Sequence, residues 1–413
     1  MPISRRSALT AGLGAGLGAG LSTGLGAGFG ASAALAGASP VPEAVGFDLN
    51  AETLDGGEQV TAVTLRTARL GGIDPASVTT STFRVHARAT SPLAPGEPIF
   101  SEYDLDRTVT AARLDRRGNI VLELAHAEGQ VGGGTLGYLV SRGRNVRLDL
   151  VYTITQNTPL VLRGGHPVTI SQFSQGRLSN PEVDAFSYHE SASGMKYRLY
   201  APRGRGRRPL VVWLHGGGEG ASLPDGYYDN ETTLRANRGA LGFATPEAQR
   251  IFDDAYVVAP QSFSYWMADG DRFAPLIREI IRDVARRRPV DPRRIHVVGC
   301  SNGGYMSMKM TVAYPGLFAS SIPICGIVTG LISDSELAGI RTPSWLVTSL
   351  DDDTVPPQPN TVHAAEVIPG ARVTLYDHVI WNGHPFPGHW SWIYVARNER
   401  RYWQWMAHQR LTR

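Results

Sequence analysis

The chain has 413 residues, 42% of them hydrophobic and 19% charged, with a net charge of only +3. Such a composition supports a packed core and argues against wholesale disorder, and the length is that of two or three domains. Near-neutral charge without long blocks of one sign leaves no footprint for nucleic acid.

In chain order, the first feature is Ser4-Arg5-Arg6-Ser7 followed by an uncharged Ala/Gly/Leu stretch to about Ala38. Paired arginines ahead of such a stretch have the form of a twin-arginine export signal. Ala34-Leu35-Ala36 and Ala36-Gly37-Ala38 offer small residues for a signal peptidase. The expectation is a cleaved signal over 1–38 and a mature protein that works outside the cytoplasm, with no membrane span after cleavage.

From about 45 to 165 the pattern has period two. Phe83, Val85, Ala87 and Ala89 alternate with Arg84, His86 and Arg88, and Val146, Leu148, Leu150, Tyr152 and Ile154 repeat the rhythm. Alternation marks strands with one buried face. Gly56-Gly57, Arg117-Gly118-Asn119 and Gly132-Gly133-Gly134 supply turns. A small β-sandwich, immunoglobulin-like in kind, is expected over 45–165. A connector over about 160–190 follows, and the basic run Arg203, Arg205, Arg207 and Arg208 reads as a solvated turn.

Beyond 185 strands and helices alternate, the pattern of a parallel sheet covered by helices. Leu210–Leu214, Ala255–Ala259 and Ile295–Val298 are continuous apolar runs suited to strands buried on both faces. Ala274, Ile277, Ile280, Ile281 and Val284 fall at helical spacing, and Pro289 ends that helix. Further strands are expected at Ser320–Ile324, Trp345–Val347 and Val373–Tyr376, with one closing helix near 396–409. Two cysteines, Cys300 and Cys325, are too few for a disulfide framework or a cysteine metal cage, and one bridge between them is left open.

Gly299-Cys300-Ser301-Asn302-Gly303 fits G-x-S-x-G, but so does Gly20-Leu21-Ser22-Thr23-Gly24 inside the signal, so context must decide. A buried strand runs into the match at Ser301 and a helix, Tyr305–Ala313, leaves it. A serine in that tight turn is thrust clear of the sheet, and the small neighbours Gly299, Gly303 and Gly304 let strand and helix approach. Acyl transfer also needs donors for an oxyanion. His215-Gly216-Gly217-Gly218 follows a buried strand and exposes backbone N–H groups; Gly217, with Gly218 beside it, and Asn302 are the candidate donors. His215 itself reads as structural. For the orienting acid, Asp351, Asp352 and Asp353 all follow the strand at 345–347. For the base, His384 and His389 are both open, and His363 and His378 are less well placed.

Much of 190–413 resembles the α/β-hydrolase esterases grouped with poly(3-hydroxybutyrate) depolymerases, feruloyl esterases and predicted secreted peptidases. The resemblance rests on 215–220 (H-G-G-G-E-G), Ala259-Pro260-Gln261 with Trp266, Asp291-Pro292-Arg293-Arg294-Ile295, Asp352-x-x-Val355-Pro356 and Gly388-His389-Trp390-Ser391-Trp392. It implies an α/β-hydrolase fold over 185–413 and the triad Ser301, Asp352 and His389, with His384 in reserve. A β-sandwich ahead of such a domain resembles some thermophilic esterases of the group. The implied activity is hydrolysis of carboxylic esters, small or polymeric, through an acyl-enzyme. No cofactor, metal or nucleic-acid partner is implied. The alternatives are a serine peptidase using the same residues and a non-catalytic binding protein on a relic hydrolase fold.

Overall fold

The computed structural model describes residues 39–41, 44–93, 97–204, 206–222 and 227–412; the expected export signal lies outside them. The described chain forms two compact units. One comprises 44–141 and 146–181; the other comprises 182–412 together with Arg142–Asn145. Among the described residues, no helix is long and apolar enough to cross a membrane.

The first unit is built from strands β1 (Val45–Leu54), β2 (Gly57–Leu65), β3 (Phe83–Thr90), β4 (Tyr103–Arg107), β5 (Val109–Leu114), β6 (Ile120–Leu124), β7 (Asp149–Gln156) and β8 (Phe173–Ser179). They form a five-stranded sheet in the order β8-β1-β2-β6-β5 and a three-stranded sheet in the order β7-β3-β4. Alternation decides what each strand buries. Phe83, Val85, Ala87 and Ala89 are buried, whereas Arg84 and Arg88 are exposed. Phe47, Leu49, Val63 and Leu65 of one sheet share a core with Val85, Ala87, Tyr152 and Ile154 of the other. Asp55-Gly56 makes the tight connection between β1 and β2, whose register closes at Leu54 opposite Gly57.

Strand β8 corrects the expected boundary at 165. The stretch read as a connector carries a strand that pairs parallel with β1 at the edge of the five-stranded sheet. Four of its seven residues are exposed, so it lacks the apolar rhythm by which inner strands announce themselves.

The second unit has one eight-stranded sheet. Its strands are β9 (Phe186–Glu190), β10 (Lys196–Tyr200), β11 (Arg208–Leu214), β12 (Tyr256–Pro260), β13 (Val290–Cys300), β14 (Ser320–Ile324), β15 (Trp345–Ser349) and β16 (Arg372–Tyr376). The order is β9-β10-β12-β11-β13-β14-β15-β16. The first two strands join antiparallel, and from β12 onward every pairing is parallel. Both faces are covered. Leu210, Val212 and Leu214 pack with Phe273, Ile277 and Ile280 of helix α1 (Gly270–Arg287). Val211 and Trp213 of the same strand point the other way, to Phe243, Trp403 and Met406. This two-sided burial is why the strand reads as an unbroken apolar run.

The chain end differs from the single helix expected at 396–409. Two short helices, Trp392–Ala396 and Tyr402–His408, replace it. Asn398 and Arg401 between them take left-handed conformations, with φ of 58° and 62°. A helix cannot run through such residues.

Candidate active site

Four neighbouring parallel strands end at one edge of the sheet, and each is followed by a residue of chemical interest. His215 follows β11, Ser301 follows β13, Cys325 follows β14, and Asp351-Asp352-Asp353 lie just beyond β15. The carboxyl edge of a parallel sheet is where such folds leave side chains uncovered.

Ser301 stands between β13 and helix α2 (Asn302–Ala313) with φ 53° and ψ −114°, and its side chain is only partly buried. For a residue with a Cβ, that backbone costs about 1–3 kcal/mol and persists only where its surroundings hold it. Here the Ser301 N–H donates to the Ile324 carbonyl at 2.8 Å. The glycines are sterically required. A Cβ on Gly299 would strike the Gly303 carbonyl, one on Gly303 would strike those of Leu214 and His215, and one on Gly304 that of Ile324. These contacts give the physical reason for the small residues expected around the serine.

The glycine loop folds as a short 3-10 turn over Gly217–Glu219. A Cβ on Gly217 would lie 3.9 Å from Asn302 Nδ2, so the two proposed donors sit on adjoining segments. Asn302 is the first residue of α2, and its N–H has no acceptor within the helix. Its side chain is committed elsewhere, Oδ1 accepting from the Met267 N–H at 3.0 Å.

His389 is buried, and Nδ1 lies 2.9 and 3.0 Å from the two carboxylate oxygens of Asp352. Asp352 Oδ1 also accepts from the N–H groups of Thr354 at 3.0 Å and Val355 at 2.8 Å. The Asp352 carboxylate is thus fixed by its own loop. Burial works against the imidazolium, but Cys325 and Asp352 outweigh it and raise the His389 pKa to about 10. Among the described residues, no hydrogen bond joins Ser301 Oγ to His389. Ser301 is tied to Ile324, the neighbour of Cys325, and the Cys325 Sγ lies within 4.8 Å of ligating atoms of both His389 and Asp352. Nucleophile–base bonds are often long without substrate and tighten on binding.

The other candidates are placed elsewhere. Asp351 pairs with His378 at 2.9 Å on the exposed surface. His363 pairs with Asp334, and His384 lies in a small hairpin against Phe386. His215 is buried with both nitrogens engaged: Nδ1 donates to the Gly216 carbonyl at 2.6 Å, and Nε2 accepts from the Ser262 N–H at 3.0 Å. Burial lowers its pKa to about 4, so it stays neutral and braces the loop. Trp266 is fully buried and its Nε1 donates to the His215 carbonyl at 3.1 Å. Both cysteines are free, and burial pushes the Cys300 thiol well above its usual pKa.

Two residues here carry features that sequence reasoning did not assign. Glu219 is buried under the glycine loop, Oε1 accepting from Asn237 Nδ2 at 3.0 Å, and burial raises its pKa to about 7. Its signal was an acid inside a glycine-rich turn directly after an apolar strand. Cys325 follows another such strand with φ 40°, a conformation no local pattern announces.

Comparison with known proteins agrees with this architecture. The chain matches no family model. Poly(3-hydroxyalkanoate) depolymerase C of Paucimonas lemoignei is 32% identical over 131 residues, 29% of this chain and 28% of the relative. NocK of Nocardia uniformis subsp. tsuyamanensis, which carries the name of an esterase, is 25% identical over 134 residues, 32% of this chain and 37% of the relative. The chain therefore aligns with well under half the length of either. The crystal structure of a thermostable esterase superposes with a TM-score of 0.73 at 24% identity, covering 88% of this chain and 99% of that one. The fold is shared with that esterase.

Proposed function

We propose that this chain is a serine hydrolase of carboxylic esters acting through an acyl-enzyme, with Ser301 as nucleophile, His389 as base and Asp352 as its orienting acid. The observation that carries the reading is the buried His389–Asp352 pair at the same strand-end edge as the strained Ser301 turn. The partial likeness to a polyester depolymerase and to NocK supports ester substrates, small or polymeric.

In the proposed cycle, His389 takes the Ser301 proton as Oγ attacks the ester carbonyl. Asp352, bonded to Nδ1, leaves Nε2 as the basic nitrogen and favours the imidazolium. The N–H groups of Gly217 and Asn302 stabilise the oxyanion, aided by the N-terminus of α2. His389 then gives its proton to the departing alcohol, and water repeats the attack to free the acid and regenerate Ser301.

A fluorophosphonate probe tests the assignment. It should label the wild type and leave Ser301→Ala unlabelled; labelling of the alanine variant would refute Ser301. Turnover of p-nitrophenyl esters set against peptide p-nitroanilides tests the ester preference, and peptide cleavage without ester cleavage would overturn it. We further read residues 1–38 as a twin-arginine-type export signal and the first unit as an immunoglobulin-like sandwich. Replacing Arg5 and Arg6 with lysine should hold the protein in the cytoplasm.

A further inference from the structure

Cys325 has no part in the cycle above, yet its side chain is buried beside the base and the acid. Cys325 Sγ, one ring nitrogen of His389 and one carboxylate oxygen of Asp352 all lie within 4.8 Å of one another. These three come from separate segments, after β14, after β15 and in the short turn Gly388–Trp390. A thiolate, an imidazole and a carboxylate are a donor set for a soft or borderline divalent cation of the zinc type. In a tetrahedral zinc site, bonds of about 2.0–2.3 Å put ligand atoms about 3.3–3.8 Å apart. Here His389 Nδ1 and the Asp352 oxygens are 2.9–3.0 Å apart and would part slightly around an ion, while Cys325 Sγ lies within 4.8 Å of the other two ligating atoms. Cys325 is held in place by a left-handed φ of 40° and by its N–H, which donates to the Val347 carbonyl at 2.8 Å.

We infer that Cys325, His389 and Asp352 form an inhibitory binding site for a zinc-type divalent cation. Binding deprotonates the Cys325 thiol, releases that proton to solvent, and takes lone pairs of His389 and Asp352 into the metal's coordination shell. Three protein ligands leave a fourth position for water. An occupied site has no free imidazole to accept the Ser301 proton. The inhibitory consequence rests on the serine-hydrolase reading; the binding itself does not.

The experiment is calorimetric titration of the chelator-stripped full chain with zinc chloride, with magnesium chloride as the hard-ion control and p-nitrophenyl acetate hydrolysis measured in parallel. The wild type should bind one zinc ion and no magnesium. Hydrolysis should fall as zinc fills the site and return with EDTA. Cys325→Ala should weaken zinc binding by at least about 100-fold, the scale on which metal sites lose affinity when their support is removed. The hydrolysis that this variant retains should no longer respond to zinc. Cys325→Ser, nearly isosteric, replaces it if the alanine variant lacks native circular dichroism. Ser301→Ala should bind zinc like the wild type while hydrolysing nothing. Zinc binding unchanged by loss of the thiol, or no binding at millimolar zinc, overturns the site. Cysteine-dependent zinc binding by a wild type that cleaves no ester would instead refute the hydrolase reading and leave the metal site standing.

Discussion

The two units of this molecule solve burial differently, and the difference locates the candidate site. In the first unit, β3 alternates buried and exposed residues, so every second side chain is available to solvent. Its ionisable groups can therefore sit along the strand, as His86 does between Asp104 and Asp106. In the second unit, six of the seven residues of β11 are buried, because helices cover both faces. Polar function cannot project from the middle of such a strand without an unpaired buried group. It gathers where the strands stop: at His215, Ser301, Cys325 and Asp352. A half-wet sheet distributes polarity along its length, whereas a fully covered one concentrates it at its ends.

Substitutions can break or sharpen that contrast. The largest effect is expected at the strand ends. His389→Ala should lower kcat for ester hydrolysis by several orders of magnitude, as loss of a triad member does, while His384→Ala in its hairpin should change it by less than about tenfold. Equal losses in steady-state kinetics would break the assignment.

The pH dependence comes next. The base must be neutral to accept a proton, so a raised His389 pKa places the acid limb of kcat/KM on the alkaline side of an ordinary histidine. Activity should climb as pH rises through that limb. Asp352→Asn removes a charge that favours the imidazolium, so the limb should move to lower pH while the rate falls by about 10⁴-fold. A limb that stays put in the variant would remove Asp352 as the partner of His389.

Glycines give a third test. Gly303→Ala forces a Cβ into backbone carbonyls on β11 and its exit, and should cost about 3 kcal/mol or more in denaturant unfolding. Gly118→Ala in the first unit meets nothing closer than 3.7 Å and carries only the penalty of its positive φ of 85°, about 1–2 kcal/mol. A reversed order would mean that the turn around Ser301 is looser than its contacts imply.

The smallest effect belongs to His86. Hydrogen bonds to Asp106 and Asp104 raise its pKa. The stability this contributes is complete below the histidine's unfolded value and disappears as pH climbs through the raised folded value. His86→Asn should therefore lower Tm slightly at pH 5 and leave it unchanged at pH 9, the pair being exposed and well screened.

What the sequence discloses follows the same division. Alternation and unbroken apolar runs each leave a one-dimensional trace, so the inner strands of both units were legible, as was the strand-to-helix setting of Ser301. Edge strand β8 left little trace because few of its residues are buried. The break between the last two helices depends on left-handed Asn398 and Arg401, and the helical pattern on either side of them hides it. Within the site, three adjacent aspartates and two nearby histidines look alike in one dimension. Folding separates them, sending Asp351 to exposed His378 and Asp352 to buried His389. Glu219 and Cys325 lacked a readable role because their significance lies in what is packed around them.

The left-handed backbone of Ser301 has one more consequence. It makes the proposed nucleophile a burden on folding: a residue with a Cβ is poorly suited to that backbone. Glycine would meet no such penalty, so Ser301→Gly should be inactive yet melt at least as high as Ser301→Ala. On folding alone, glycine would suit this position better than the serine that stands there.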